Sequence, residues 1–218
     1  MLDQNKQELE KKINIATWQA DVNDKQGFEH FMLKEIFEQP HVLEEILKQN
    51  IKNGLPDLEL QALPNLDEIE KIIIVACGSA RYAGLLGKSW IEKFARLPVE
   101  VEIASEFRYS YPILTPKMLV ICISQSGETA DTLAALRLAK LNNVPTLGII
   151  NVIGSSMSRE ADHVIYTNAG TEVAVASTKA YMAQICILYL LAIELAVKRQ
   201  TLQKSQILSL SKDILDVP

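Results

Sequence analysis

The sequence predicts an α/β fold built on a doubly wound, five-stranded parallel sheet, and three observations carry that expectation. Short apolar runs recur from Lys71 onward, separated by longer stretches with helical spacing, which is the pattern of successive βαβ units. Polar, hydroxyl-rich turns follow the first and third of these runs. The chain has 218 residues of which 48% are hydrophobic, enough for a large buried core.

Taken in order, the first stretch, 1–27, is polar with scattered apolar residues and is expected to be a linker. Phe28, Phe31, Met32, Ile36 and Phe37 form a helical stripe that Pro40 interrupts, and Val42, Leu43, Ile46 and Leu47 form a second stripe ending near Asn53-Gly54. Two short helices are therefore expected in an extension over 28–70, packed on the domain core or on a neighbouring subunit. The body, 71–200, holds strands at Ile72–Ala76, Val99–Ile103, Met118–Ile123, Thr146–Ile150 and His163–Tyr166. Its helices are expected at Ala80–Arg96, Thr129–Leu141, Ser155–Glu160 and Ser177–Arg199. The last of these has almost no polar face between Ile185 and Leu195, so something must cover it, and a partner subunit is one candidate. The segment 201–218 adds no strand and is expected to lead out of the domain, as in a fragment of a longer protein.

A net charge of −5 and a pI near 5.3 leave no basic footprint, so no nucleic-acid partner is expected. Cys77, Cys122 and Cys186 lie in or at the ends of apolar runs and show no metal-ligand spacing. They read as reduced thiols of a cytoplasmic protein, and no metal is expected. The stretch Met1–Lys12 is too polar for a secretory signal, and the apolar run from Ile185 to Val197 is too short to span a bilayer, so no membrane is expected either.

The segment Ser124-Gln125-Ser126-Gly127-Glu128-Thr129 joins a buried-strand pattern to a helix start. The first N–H groups of a helix lack intrahelical partners and its dipole is positive there, so an anion is favoured. Three hydroxyls and an amide can donate to the same anion, which would hold a phosphate monoester without a lysine. Capping of the helix by Ser126 or Thr129 is the competing reading, but it needs only one such residue. In a sheet of order 2-1-3-4-5, the flavodoxin-like order, this turn and Cys77-Gly78-Ser79 meet in one crevice beyond the carboxyl ends of the strands.

A third hydroxyl-bearing segment, Thr167 to Lys179, leads into the longest helix. Ser177 and Thr178 are either its caps or the hydroxyl side of a bound sugar. Asn151 to Ser156 reads as a turn with a helix cap. A dinucleotide fingerprint fails because Gly78 and Gly84 stand too far apart, and the Gly87-Lys88-Ser89 hint of a nucleotide loop falls inside a helix. Cys77 has no histidine nearby in sequence, His30, His41 and His163 offer no obvious base, and Glu128 and Glu172 read as acids that complement helix dipoles.

The run from Ile72 to Val197 resembles a sugar isomerase (SIS) domain. Its details are similar to the first of two such domains in the glutamine–fructose-6-phosphate aminotransferase (glucosamine-6-phosphate synthase) family. The matching stretches are Met32 to Pro40, Ala76 to Ser79, Val101 to Tyr109, Ser124 to Thr129 and Thr167 to Lys179. The resemblance implies that Ser124, Gln125, Ser126 and Thr129 hold a hexose 6-phosphate, that Val175 and Ser177 contact the sugar, and that Gly78 and Ser79 join them. The family reads Cys-Gly-Thr-Ser where this chain has Cys77-Gly78-Ser79-Ala80, so one hydroxyl is missing. It also implies no cofactor, a homodimer, and a parent protein whose glutaminase domain and second SIS domain carry the reactive groups, with no catalytic residue in this chain. A stand-alone module that senses sugar phosphates is the other reading. Such regulators carry a basic DNA-binding helix-turn-helix, which the mixed-charge N-terminal stretch does not resemble.

Overall fold

The structure, a computed structural model, describes residues 25–60, 63 and 68–218, so most of the expected linker lies outside the described residues. The first helix, α1 (Phe31–Asn50), is continuous where two helices were expected. Pro40 lacks the N–H that would reach the carbonyl of Ile36, but the side chain of Gln39 donates to that carbonyl at 3.1 Å and satisfies it. Burial of Val42, Leu43, Ile46 and Leu47 on one face supplies the tertiary packing that outweighs the lost bond. Strands β1 (Ile51–Lys52) and β2 (Leu55–Pro56) then form a hairpin that was not expected. Its two-residue turn is Asn53-Gly54, with φ of 54° and 77°, the left-handed pair that such a hairpin requires.

The body runs β3 (Lys71–Ala76), α2 (Gly78–Phe94), β4 (Val99–Ile103), α3 (Ala104–Phe107), β5 (Met118–Ser124), α4 (Ala130–Leu141), β6 (Thr146–Ile150), α5 (Ser156–Glu160), β7 (His163–Tyr166), α6 (Lys179–Lys198) and α7 (Lys204–Leu215). All five expected strands are found. Helices α3 and α7 were not expected, α2 begins at Gly78 instead of Ala80, and α6 begins at Lys179 instead of Ser177. The sheet is parallel throughout in the order β4-β3-β5-β6-β7, the 2-1-3-4-5 order of the strand pattern.

Side chains alternate across this sheet. Ile72, Ile74, Leu119, Ile121 and Ile123 face one layer built from α1, α2, α6 and α7, whereas Ile73, Val75, Val120 and Cys122 face a second layer of α3, α4 and α5. Both faces of the central strands are therefore buried, which is why these strands read as unbroken apolar runs.

Helix α6 is long and apolar enough, by length and composition, to cross a membrane, yet 72% of its apolar window is buried inside this fold. Its cover is the chain's own α1, α2 and sheet, which replaces the expected partner subunit. Helix α2 approaches it closely, since a Cβ at Gly87 would lie 3.0 Å from Leu188 Cδ2, and α2 also lies close on the sheet, where a Cβ at Gly84 would lie 2.9 Å from Ile74 Cγ2. The Gly87-Lys88-Ser89 triplet is thus a packing feature inside a helix, with Lys88 bonded to Glu92 and to the carbonyl of Val99.

Glu194, the one acid in the apolar part of α6, is buried and accepts the N–H of Leu58 at 2.6 Å, tying the extension to the core. Burial pushes its carboxyl above the ordinary value of 4.5. The fold favours the protonated acid, so this contribution to stability is full below the unfolded pKa and is lost as pH rises through the folded one. Glu194→Gln keeps an oxygen for Leu58 without the charge. Thermal unfolding should show this variant melting above wild type at pH 8, with the gap closing toward pH 5; a lower melting point at pH 8 would contradict the assignment.

Candidate ligand site at the carboxyl edge of the sheet

Strand β5 ends at Ser124 and α4 begins at Ala130, and the five residues between are tied down from several sides. Ser124 Oγ accepts the N–H of Gly127 at 3.0 Å and shares a hydrogen bond of 2.9 Å with Thr129 Oγ1. Ser126 Oγ accepts the N–H of Glu128 at 3.1 Å. The carbonyl of Gln125 accepts from Asn151 and Val152 at 3.1 and 3.2 Å, and that of Gly127 accepts from Met157 at 3.1 Å. Gly127 has φ +66°, and a Cβ there would sit 2.1 Å from Ser155 Oγ, so only glycine fits.

These bonds bear on the capping alternative. Thr129 occupies the N-cap position of α4 but makes no side-chain capping bond. When Ser124 donates to Thr129, Thr129 keeps its own proton for a ligand, and Ser126, which accepts from Glu128, keeps its proton too. The turn therefore offers hydroxyl donors beside an uncapped helix start.

Glu128 complements a helix, though not its own. Its Oε1 accepts the N–H of Ser156 at 2.6 Å, and that bond to the start of α5 holds its carboxyl below the usual range. Ser155, at the N-cap position of α5, makes no side-chain capping bond, and its hydroxyl is buried without a partner.

The opposite wall follows β7. Asn151 braces it: Oδ1 accepts from the Thr167 hydroxyl at 3.0 Å and the Ala169 N–H at 2.8 Å, and Nδ2 donates to the carbonyl of Gly170 at 2.7 Å. Glu172 caps α6, since its Oε1 accepts the N–H of Thr178 at 2.8 Å and of Ala180 at 3.2 Å. Ser177 donates its hydroxyl to the same carboxylate at 3.1 Å. Neither Ser177 nor Thr178 caps the helix with its own side chain, which corrects that half of the two-way reading.

Between the walls lies a cavity of about 280 Å³. Ser79, Ser124, Gln125, Ser126, Thr129, Val175 and Ser177 all line it, so the structure brings together the residues the sequence singled out. Gly78 is not part of the lining; it opens α2 with φ +57°, a backbone role. Cys77, Ala80, Ile123, Glu172, Ala174 and Gln184 complete the polar and apolar surface. Sequence reading missed Gln184, an amide in an otherwise apolar helix that is buried with Oε1 unpartnered; its isolation among aliphatic residues was the available signal. Glu172 is the charged residue of this lining, and both its oxygens are engaged. Cys77 is half-buried at the rim, whereas burial pushes the thiols of Cys122 and Cys186 up to about 12.

Comparison with known proteins agrees with this fold. A profile of the SIS domain matches residues 65–194. Glutamine–fructose-6-phosphate aminotransferase [isomerizing] of Clostridium tetani (strain Massachusetts / E88) is 49% identical over 100% of this chain and 36% of its own length. The enzyme of the same name from Clostridium acetobutylicum is 48% identical over 97% of the chain and 35% of its length, so the chain spans about a third of these curated relatives. Among solved structures, the C-terminal domain of glucosamine-fructose-6-phosphate aminotransferase from Francisella tularensis superposes with a TM-score of 0.84 at 40% identity, covering 88% of this chain and 55% of that one. Tagatose-6-phosphate ketose/aldose isomerase from Escherichia coli shares the fold alone, with a TM-score of 0.65 at 18% identity over 76% of this chain and 48% of that one. With its strand order, its hydroxyl turn and a profile match over more than half its length, this chain belongs to the SIS domain family and is similar within it to the SIS-bearing part of glutamine–fructose-6-phosphate aminotransferases.

Proposed function

We propose that the cavity binds a hexose 6-phosphate, with the phosphate on the Ser124–Thr129 turn and the sugar against Val175, Ser177 and Ser79. The observation that carries this reading is the locked turn, in which the Ser126 hydroxyl, and that of Thr129 when Ser124 donates to it, keep protons to donate beside an uncapped helix start. Gln184 Oε1, buried and unpartnered, supplies an acceptor for a sugar hydroxyl. The names of the relatives support fructose 6-phosphate and glucosamine 6-phosphate as ligands, in a parent reaction that converts L-glutamine and fructose 6-phosphate to glucosamine 6-phosphate and L-glutamate.

In that reaction this chain holds substrate, while the proton transfers and ammonia release belong to a second SIS domain and a glutaminase domain of a longer protein. The lining supports this division. No histidine or lysine is among its described residues, and the carboxylate of Glu172 is spent on Ser177, Thr178 and Ala180. Ala80 stands where the family carries a hydroxyl, which removes one donor from the sugar side. Free cysteines at all three positions agree with a cytoplasmic setting.

Self-association belongs to the same proposal. Met32, Leu33, Ile36 and Phe37 leave an apolar face of α1 exposed, with Phe37 at 65% and stacked on Phe28. A second copy of the chain is the proposed cover.

Three measurements test these readings. Hydrogen bonds to a charged group contribute roughly 1.5–3 kcal/mol each, against an association cost of about 4–15 kcal/mol, so affinity should be modest. Calorimetry with glucosamine 6-phosphate should show the Ser126→Ala/Thr129→Ala variant binding at least about tenfold more weakly than wild type. Equal affinities would refute the phosphate assignment. The purified chain should make no glucosamine 6-phosphate from fructose 6-phosphate with glutamine or ammonia, and detectable product would overturn the division of labour. Sedimentation equilibrium at micromolar concentration should give a dimer that Phe37→Glu weakens; a monomer mass throughout would remove the α1 interface.

A further inference from the structure

We propose that Glu35 and Glu38 of α1 are positioning residues for the cavity's sugar-facing wall, residues 172–178, and so set its preference for a sugar phosphate over bare phosphate. This rests on the reading of the cavity as a sugar-phosphate site. It gives a role to the Lys34-Glu35-Ile36-Phe37-Glu38 stretch, which the proposed binding chemistry leaves unused.

The wall has little structure of its own, for residues 167–178 belong to no helix or strand. Its leading amides are held from outside: Glu35 Oε1 accepts the N–H of Val173 at 2.6 Å and that of Ala174 at 3.1 Å, across 138 and 139 positions of sequence. Glu35 is 2% exposed, and its Oε2 is buried without a partner. A carboxylate is a costly way to fill a packed helix face that leucine or methionine would fill better, unless its acceptor is needed. One turn on, Glu38 Oε2 meets the buried Nζ of Lys179 at 2.7 Å, at the first residue of α6. Residues three apart share a helix face, so Glu35 holds the wall itself while Glu38 holds the start of the helix that follows it. Glu172 binds the far end at Thr178 and Ala180. Val175 and Ser177 thus stand between two carboxylate anchors, and neither anchor touches the Ser124–Thr129 turn.

That separation gives the test. Amide hydrogen exchange on the ligand-free 218-residue chain should show Val173 and Ala174 exchanging at least about tenfold faster in Glu35→Ala, with Gly127 and Glu128 unchanged. Unchanged rates at Val173 and Ala174 overturn the proposal. Titrations with glucosamine 6-phosphate and with inorganic phosphate should show Glu35→Ala losing about tenfold for the sugar phosphate and nothing for phosphate, and Glu35→Gln, which retains an oxygen acceptor, recovering most of the loss. Equal affinity of wild type and Glu35→Ala for the sugar phosphate, or an equal loss for both ligands, also overturns it. If wild type binds neither ligand, the proposed function fails while the exchange data still decide whether Glu35 holds the wall. Should Glu35→Ala not fold, Glu38→Gln is expected to show the same split at about threefold, and no split there counts against the proposal.

Discussion

Helix α6 has little surface that it can show to water, and most of the architecture follows from that. From Ile187 to Ile193 every side chain except the half-buried Tyr189 is buried, so the helix needs cover on most sides. The sheet supplies one side, α2 a second through the close approach at Gly87, and α1 a third. Because α6 begins beside the carboxyl edge of the sheet, burying it also brings Gln184 and the preceding wall to the cavity. A helix driven inward by its apolar surface thereby builds half of a polar site.

The other half depends on backbone conformation. Gly127, held at positive φ against Ser155, lets the chain turn tightly enough for Ser124 to receive the Gly127 amide and meet Thr129. The proposed recognition of an anion by neutral donors has a physical consequence for selectivity. Hydroxyls and helix amides act at contact distance, whereas a lysine would attract any anion over many ångströms. The acidic balance of the chain makes that local character more pronounced.

The strands were legible in the sequence because burial on both sheet faces leaves uninterrupted apolar runs, and the order found is the flavodoxin-like one expected of the fold class. The two polar turns were legible for the same reason, as breaks in those runs at the carboxyl ends. Glu128 and Glu172 were legible as acids near helix starts, but sequence patterns did not reveal that they, and not the nearby hydroxyls, make the capping bonds. Local rules point to Ser155, Ser177 or Thr178, whereas the bonds come from Glu128 and Glu172. Pro40 misled in a similar way, since a neighbouring amide replaces the missing donor and leaves α1 unbroken. Each miss is a polar group satisfied by a side chain outside the pattern being read.

The bonds from Glu35 to Val173 and from Glu194 to Leu58 join positions 138 and 136 residues apart. Such closures are slow, because the chain loses the entropy of a long loop before the contact returns anything. The Ser124–Thr129 turn needs only neighbours within about one βαβ unit, whereas the facing wall must wait until the two ends of the body have met. The cavity thus has two halves of unequal closure cost, one closed over short loops and one that depends on topology, and loop entropy favours the local half first. A chain with only that half closed would hold an ordered hydroxyl turn and no opposing wall.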